Sequence, residues 1–150
     1  MDNLPINTNL DVLLAEDDID DVLIFDLAVK QIKISIQLRH AKDGEELFKL
    51  LKEAIPDLIF LDIHMPCKDG FTCILEIRQN PDYNNVPVIM YTSYYHLKEI
   101  ENTYKSGANF FLIKTASISE LAENLKRIFS VDWKRYMYYP PIKEYVLGMK

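Results

Sequence analysis

Four short apolar runs in this chain each end on a side chain that can take part in chemistry. The runs end on Glu16 and Asp17, on Asp62, on Thr92 and on Lys114. Short apolar runs separated by helical stretches are typical of buried parallel strands, and open α/β sheets bind ligands beyond the carboxyl ends of their strands. One polar residue at a strand end needs no function. All of them together predict a single site at one edge of a sheet.

Strand and helix patterns alternate along the whole chain. Strands are expected over 12–15, 35–40, 58–62, 86–91 and 109–113. Helices are expected near 18–28, over about 44–54, from the loop at Gly70 to about 80, over about 97–106, and from Ser117 or Ser119 onward. Strict alternation predicts an α/β fold with a doubly wound, five-stranded parallel sheet and helices on both faces. We expect the flavodoxin-like strand order 2-1-3-4-5, which opens a crevice between the first and third strands.

Length and charge restrict the classes of protein to be considered. A chain of 150 residues with 49% hydrophobic residues can bury one full-sized core. Lys and Arg total 17 against 23 Asp and Glu, a net charge of -6, so no broad basic surface is available and nucleic-acid binding is not expected. No apolar run approaches the length of a membrane span, and the N-terminus lacks a leader pattern. We therefore expect a cytoplasmic protein with no membrane partner.

The acids that meet at the crevice need a cation. Glu16, Asp17 and Asp62 would repel one another, and one of them would have to bind a proton. Mg²⁺ prefers oxygen ligands and accepts only a few from protein, which suits this set. A phosphoryl group arriving there could place its remaining oxygens on the Lys114 ammonium and the Thr92 hydroxyl, with Asp62 as the nucleophile.

Four sequence runs carry a family resemblance. They are 13–18, 56–66 with Asp69 and Gly70, 86–93, and 106–114. In this order and spacing they resemble the receiver domain of two-component response regulators, in its CheY-like, single-domain form, over about 10–129. We expect a receiver domain over 7–130, an aromatic C-terminal extension over 131–150, and no output domain.

The resemblance implies a phosphoacceptor and a metal site. Asp62 would accept a phosphoryl group from the phosphohistidine of a sensor histidine kinase or phosphotransfer protein. Mg²⁺ would be bound directly by Asp17 and Asp62, through water by Glu16, and by the backbone carbonyl of His64. The His64 imidazole is then expected to face solvent. The downstream protein partner is not identified by the sequence.

The resemblance also implies a switch. Thr92 would shift toward the phosphoryl oxygens, Lys114 would pair with them, and the aromatic ring of Phe111 would rotate inward. An aromatic residue on this strand is otherwise simple core. The family pattern has a cis proline after the lysine, but this chain has Thr115. A cis bond costs about 2.5–4 kcal/mol before residues other than proline, so we predict a trans bond here.

The C-terminal segment is rich in aromatic residues, and two interpretations of it remain open. Its aromatics are Trp133, Tyr136, Tyr138, Tyr139 and Tyr145. They either fold back on their own domain, the interpretation we favour, or form a homodimer surface through an extended last helix and the tail. In both cases the segment is expected to be ordered, with Pro140 and Pro141 stopping any helix that continues so far.

Three functions are compatible with these residues. The first is a phosphorylatable signalling domain that turns over no external substrate and is therefore no enzyme in the ordinary sense. The second is a degenerate receiver that serves as a scaffold, although the intact acid, hydroxyl and lysine set disfavours it. The third is a phosphatase of the haloacid-dehalogenase type. Such enzymes require a second acid two residues after the nucleophile, where this chain has His64.

Overall fold

A six-stranded parallel sheet organises the chain. A computed structural model describes residues 9–93 and 95–149. The elements are β1 (Asn9–Ala15), α1 (Ile19–Gln31), β2 (Ser35–Ala41), α2 (Gly44–Glu53), β3 (Leu58–Leu61), α3 (Gly70–Gln79), β4 (Val88–Thr92), α4 (Leu97–Lys105), β5 (Phe110–Ile113), α5 (Ile118–Phe129), α6 (Ile142–Tyr145) and β6 (Val146–Leu147). The strand order is β2-β1-β3-β4-β5-β6. The predicted order of the first five strands is therefore confirmed, and β6 is an addition that the sequence did not indicate.

Helices cover both faces of the sheet, as expected for a doubly wound fold. One core lies under α1 and α5 and includes Phe25, Phe60 and Leu125. The other lies under α2, α3 and α4 and includes Leu47, Ile74 and Met90. Because successive strand residues point to opposite faces, both sides of each central strand must be apolar. This requirement explains the continuous apolar runs in the sequence.

Side-chain caps fix where several helices begin. Asp18, Asp43, Asp69 and Ser117 each accept a hydrogen bond from a main-chain N–H in the first turn of the following helix. Such caps satisfy donors that have no partner inside the helix. Of the two starts considered for the last long helix, Ser117 is the cap. The caps at Asp18 and Asp69 also fix the loops that follow β1 and β3.

The aromatic tail crosses from one face of the sheet to the other. The Trp133 side chain is buried with its indole N–H donating to the Ile128 carbonyl at 2.8 Å. Tyr145 is fully buried in the opposite core. Between them α5 ends at Phe129, so a helix continuing through Trp133 does not form. The interpretation that the aromatics fold back on their own domain is confirmed for these two residues, whereas Tyr136 and Tyr139 are exposed.

Strand β6 places the end of the tail beside β5. Val146 pairs with Phe111 and Leu147 with Leu112 in parallel register. Gly148 then turns the chain with a φ of 91°, in the left-handed region that favours glycine. Among residues 9–93 and 95–149, no helix is long and apolar enough to span a membrane.

Candidate functional site

Adjacent strand ends bring the three predicted acids together. Ala15 of β1 pairs with Leu61 of β3, so the residues that follow them come out side by side. One carboxylate oxygen from each of Glu16, Asp17 and Asp62 lies within 4.8 Å of the other two. Glu16 and Asp62 are buried, and Asp17 is exposed. The predicted convergence of these acids is present in the structure.

Lys114 extends from the end of β5 into this acidic cluster. Its Nζ lies 2.5 Å from Glu16 Oε1, 2.9 Å from Asp21 Oδ2 and 3.2 Å from Asp62 Oδ2. Burial lowers the pKa of the Lys114 amine, but the hydrogen bond to Glu16, the charge of Asp62 and the hydrogen bond to Asp21 together outweigh burial and raise it. The amine is therefore held in its charged form.

Glu16 is the acid most affected by burial. Burial raises the pKa of its carboxyl to about 8, the hydrogen bond from Lys114 lowers it, and the charge of Asp62 raises it further. The main-chain carbonyl of Glu16 also lies 2.6 Å from Nε2 of His40 on β2. Glu16, Asp21 and Asp62 share one ammonium at this edge, and Asp17 lies beside Glu16 and Asp62. The charge balance is therefore incomplete, and a proton or a metal ion is favoured there.

The loop after β3 is packed tightly around Asp62. The main-chain N–H of His64 donates to Asp62 Oδ1 at 3.4 Å, and that of Gly70 donates to the Ile63 carbonyl at 2.7 Å. A Cβ atom at Gly70 would collide with the Asp62 carbonyl oxygen. Glycine is therefore required at position 70. The His64 side chain is exposed, as expected.

Thr92 and Phe111 lie on the two strands next to β3. Thr92 ends β4, is buried, and its carbonyl accepts a hydrogen bond from the Lys114 N–H at 2.9 Å. Phe111 is fully buried, and its ring centroid lies 6.0 Å from that of Tyr145. The peptide bond between Lys114 and Thr115 is trans, as predicted. Lys114 nevertheless reaches Asp62.

The donor set fits a hard divalent cation. Three carboxylates offer oxygen atoms at mutual distances that one ion can bridge, and one of these residues remains open to solvent. Such an arrangement leaves room for water and for a phosphate oxygen, as Mg²⁺ requires. When bound, such an ion would neutralise the acids and draw electron density from a phosphoryl group.

Asp21 is the member of this site whose role the sequence did not indicate. In the sequence it is one of several acids near the start of the first expected helix, where acids are favoured. The structure shows that it is the third residue of α1, from where its carboxylate reaches Lys114. Asp21 is three residues from the cap Asp18, which places both on the same side of the helix. This spacing is the sequence signal that could have identified Asp21.

Sequence comparison identifies the family. Residues 12–126 match the family model described as "Response regulator receiver domain". The chain therefore belongs to the response regulator receiver family, whose members are signalling domains of two-component systems. The match supports the receiver interpretation over the phosphatase interpretation.

Individual relatives and solved structures agree with this assignment. Response regulator Rcp1 of Synechocystis is 29% identical over 126 residues, which cover 79% of this chain and 86% of Rcp1. The crystal structure of Mn²⁺-bound Rcp1 superposes with a TM-score of 0.73 at 27% identity, covering 88% of this chain and 99% of that one. The phosphorylated cyanobacterial phytochrome response regulator RcpA gives a TM-score of 0.73 at 26% identity, covering 81% and 91% of the two chains.

Other relatives are longer. The chain covers 42% of the response regulator VraR of Staphylococcus saprophyticus, at 30% identity over 59% of this chain. It covers 48% of the probable transcriptional regulator ycf27 of Guillardia theta, at 29% identity over 84% of this chain. In these proteins the similarity is confined to less than half of the relative.

Proposed function

We propose that Asp62 accepts a phosphoryl group from a phosphohistidine of a sensor histidine kinase or phosphotransfer protein, and that the phosphorylated domain signals to a downstream protein. The observation that carries this proposal is the meeting of Glu16, Asp17 and Asp62 at the carboxyl ends of the strands, with the buried Lys114 ammonium against Glu16 and Asp62. Only Asp62 in this set directly follows the central strand β3. Its carboxylate therefore lies within reach of both the paired acids and Lys114.

The chemistry of the acceptor follows from this placement. An Asp62 oxygen attacks phosphorus, an O–P bond forms, and the N–P bond of the donor breaks with its electron pair left on the imidazole. Lys114 supplies positive charge to an oxygen of the transferred group, and the Thr92 hydroxyl donates a hydrogen bond to another. Asp17, Asp62 and the His64 carbonyl would hold Mg²⁺ directly and Glu16 would hold it through water, and the bound ion would supply positive charge at the site.

The proposed switch runs through β4 and β5. Movement of Thr92 toward a phosphoryl group would open space on the α4 side of the sheet for the ring of Phe111. In this chain that ring is already enclosed and contacts Tyr145 of the tail. A change at Phe111 would therefore be transmitted to the tail as well as to α4.

A surface for the phosphodonor lies beside the acceptor. Ile19, Leu23 and Leu27 are exposed by 64%, 55% and 49%, and their spacing aligns them along one side of α1. This apolar ridge begins next to the acids of the β1 loop. A helical phosphodonor packed on it would have its phosphohistidine close to Asp62.

Several further expectations belong to this proposal. The domain would act in the cytoplasm and turn over no external substrate. The receiver unit would span 7–130 and the extension 131–150; residues 7, 8 and 150 of these ranges lie outside the described part of the chain. Because the described tail packs within its own chain, a monomer is favoured over a homodimer through α5 and the tail.

Phosphate incorporation tests the proposal. The protein is incubated with Mg²⁺ and acetyl phosphate, and hydroxylamine-sensitive phosphate is measured. Wild type should take up one phosphoryl group, Asp62→Asn should take up none, and excess chelator should prevent uptake. Asp20→Asn, an exposed acid in the first turn of α1, is the matched control and should react like wild type. Uptake by Asp62→Asn at the wild-type rate would refute the assignment, and no uptake by folded wild type would favour the scaffold interpretation.

A further inference from the structure

The Lys114 ammonium has three carboxylate neighbours in this structure. An ammonium group has three N–H donors. Its three carboxylate neighbours are Glu16, Asp21 and Asp62, all within 3.2 Å of Nζ. The proposed function requires Lys114 to bind a phosphoryl oxygen on Asp62. One of the three carboxylates must then lose its contact with the ammonium.

The three partners differ in how readily they can do so. The Glu16 side chain is inaccessible to solvent, and the Asp62 side chain is only 7% exposed. Losing Lys114 would leave the Asp62 carboxylate as a buried charge with less compensation and the buried Glu16 carboxyl without its polar partner, and both are unfavourable. The Asp21 side chain is 26% exposed. Water can therefore replace Lys114 at Asp21 more easily than at the other two acids.

Asp21 also stands apart from the metal-binding acids. The oxygen atoms within 4.8 Å of one another come from Glu16, Asp17 and Asp62, so Asp21 contacts the cluster through Lys114. It is held in place by the first turn of α1, whose cap is Asp18. Its carboxylate is thus a fixed acceptor on one side of the lysine.

We infer that Asp21 is a positioning residue that holds Lys114 before phosphorylation and competes with the phosphoryl group for its ammonium. The inference rests on the proposed function of Asp62. Removing the charge of Asp21 weakens this competition while leaving the metal-binding acids and Lys114 in place. Binding of a phosphoryl group should therefore be stronger and its uptake faster.

Beryllofluoride, a phosphoryl mimic that adds to a carboxylate, tests this inference in the presence of Mg²⁺. Its affinity is measured by fluorine NMR titration for wild type, Asp21→Asn and Asp20→Asn, with thermal unfolding confirming that each is folded. Asp20 carries the same charge in the same helical turn, is exposed, and makes no ion pair with Lys114. Asp20→Asn therefore reports the effect of net charge alone. We expect Asp21→Asn to bind about 3- to 10-fold more tightly than Asp20→Asn, in line with an ion pair of intermediate exposure.

A double-mutant cycle separates positioning from a general structural effect. In a Lys114→Gln background, Asp21→Asn should no longer increase affinity, because the competition acts through the lysine. Affinity for Mg²⁺ alone should change equally in Asp21→Asn and Asp20→Asn. Equal beryllofluoride affinities of these two variants, or an Asp21→Asn gain that persists without Lys114, would overturn the inference while leaving the proposed function intact. Failure of wild type to bind beryllofluoride at saturating Mg²⁺ would overturn both.

Discussion

The carboxyl edge of the sheet and the C-terminal tail contribute to stability in opposite ways. At the edge, three acids contact one lysine and a fourth, Asp17, lies beside two of them, which leaves a net negative charge partly enclosed in protein. The tail buries Trp133 and Tyr145 in two apolar cores and completes their polar contacts. The comparison indicates that the edge is built for binding at the expense of stability, whereas the tail stabilises the fold. Substitutions in the two regions should therefore change the free energy of unfolding in opposite directions.

Tyr145→Ala should change the stability of the folded protein most, and it should destabilise it. Its ring is fully buried between Phe111 and Tyr104, with centroid distances of 6.0 and 4.9 Å. Removing a buried aromatic side chain costs about 3–5 kcal/mol because transfer energy is lost and a cavity remains. Urea unfolding measures the change. Tyr139→Ala, at an exposed tail position, should stay within about 0.5 kcal/mol of wild type. A small loss at Tyr145 would show that the tail contributes little.

The edge should lose stability as the pH rises when divalent ions are absent. The pKa of Glu16 is about 8 in the folded protein against 4.5 for an unperturbed glutamate, so between these values the folded state holds the proton more tightly. The free energy of unfolding should fall with rising pH across this window, by at most about 1.4 kcal/mol per pH unit. Unfolding in chelator from pH 5 to 8 checks this expectation. Glu16→Gln should flatten the dependence, whereas Glu45→Gln, at an exposed site, should not. An unchanged slope in Glu16→Gln would contradict the assignment.

Asp62→Asn should stabilise the metal-free protein by about 1 kcal/mol, since it removes one of the mutually repelling acids. Asp11→Asn provides a contrast of opposite sign, because Asp11 is paired with Arg39 at 3.1 Å and lies outside the cluster. That variant should be destabilised by up to about 1 kcal/mol. Thermal unfolding in chelator compares the two. A clear loss of stability in Asp62→Asn would mean that its pairing with Lys114 outweighs the repulsion.

Tyr145→Phe should have the smallest effect, about 1 kcal/mol or less. The Thr103 hydroxyl lies 2.9 Å from the Glu99 carbonyl, 3.2 Å from the Ile100 carbonyl and 2.8 Å from the Tyr145 hydroxyl. With its single proton directed to a main-chain carbonyl, Thr103 accepts the hydrogen bond from Tyr145. Thr103 would lose an accepted bond and no donor would be left unsatisfied. A loss as large as that of Tyr145→Ala would assign the tail's stability to this hydrogen bond instead of ring burial.

The sequence predicted the edge well because each of its residues follows a strand. Once the strands were placed, parallel topology required Glu16, Asp17, Asp62 and Lys114 to meet. Asp21 was missed because it reaches the site from a helix, and its contact depends on the length of the Lys114 side chain. Strand β6 was missed because it consists only of Val146 and Leu147, and two residues are too few to show the alternating pattern of a strand. Its pairing is set by long-range burial of Tyr145.

The most direct test of the central claim is to locate the phosphoryl group. After reaction with acetyl phosphate and Mg²⁺, borohydride reduction converts an aspartyl phosphate to homoserine, and peptide mass spectrometry then identifies its position. The account predicts homoserine at position 62 alone, and only when both phosphodonor and divalent ion were present. Homoserine at another acid of the cluster, or none in folded protein at saturating phosphodonor, would contradict it.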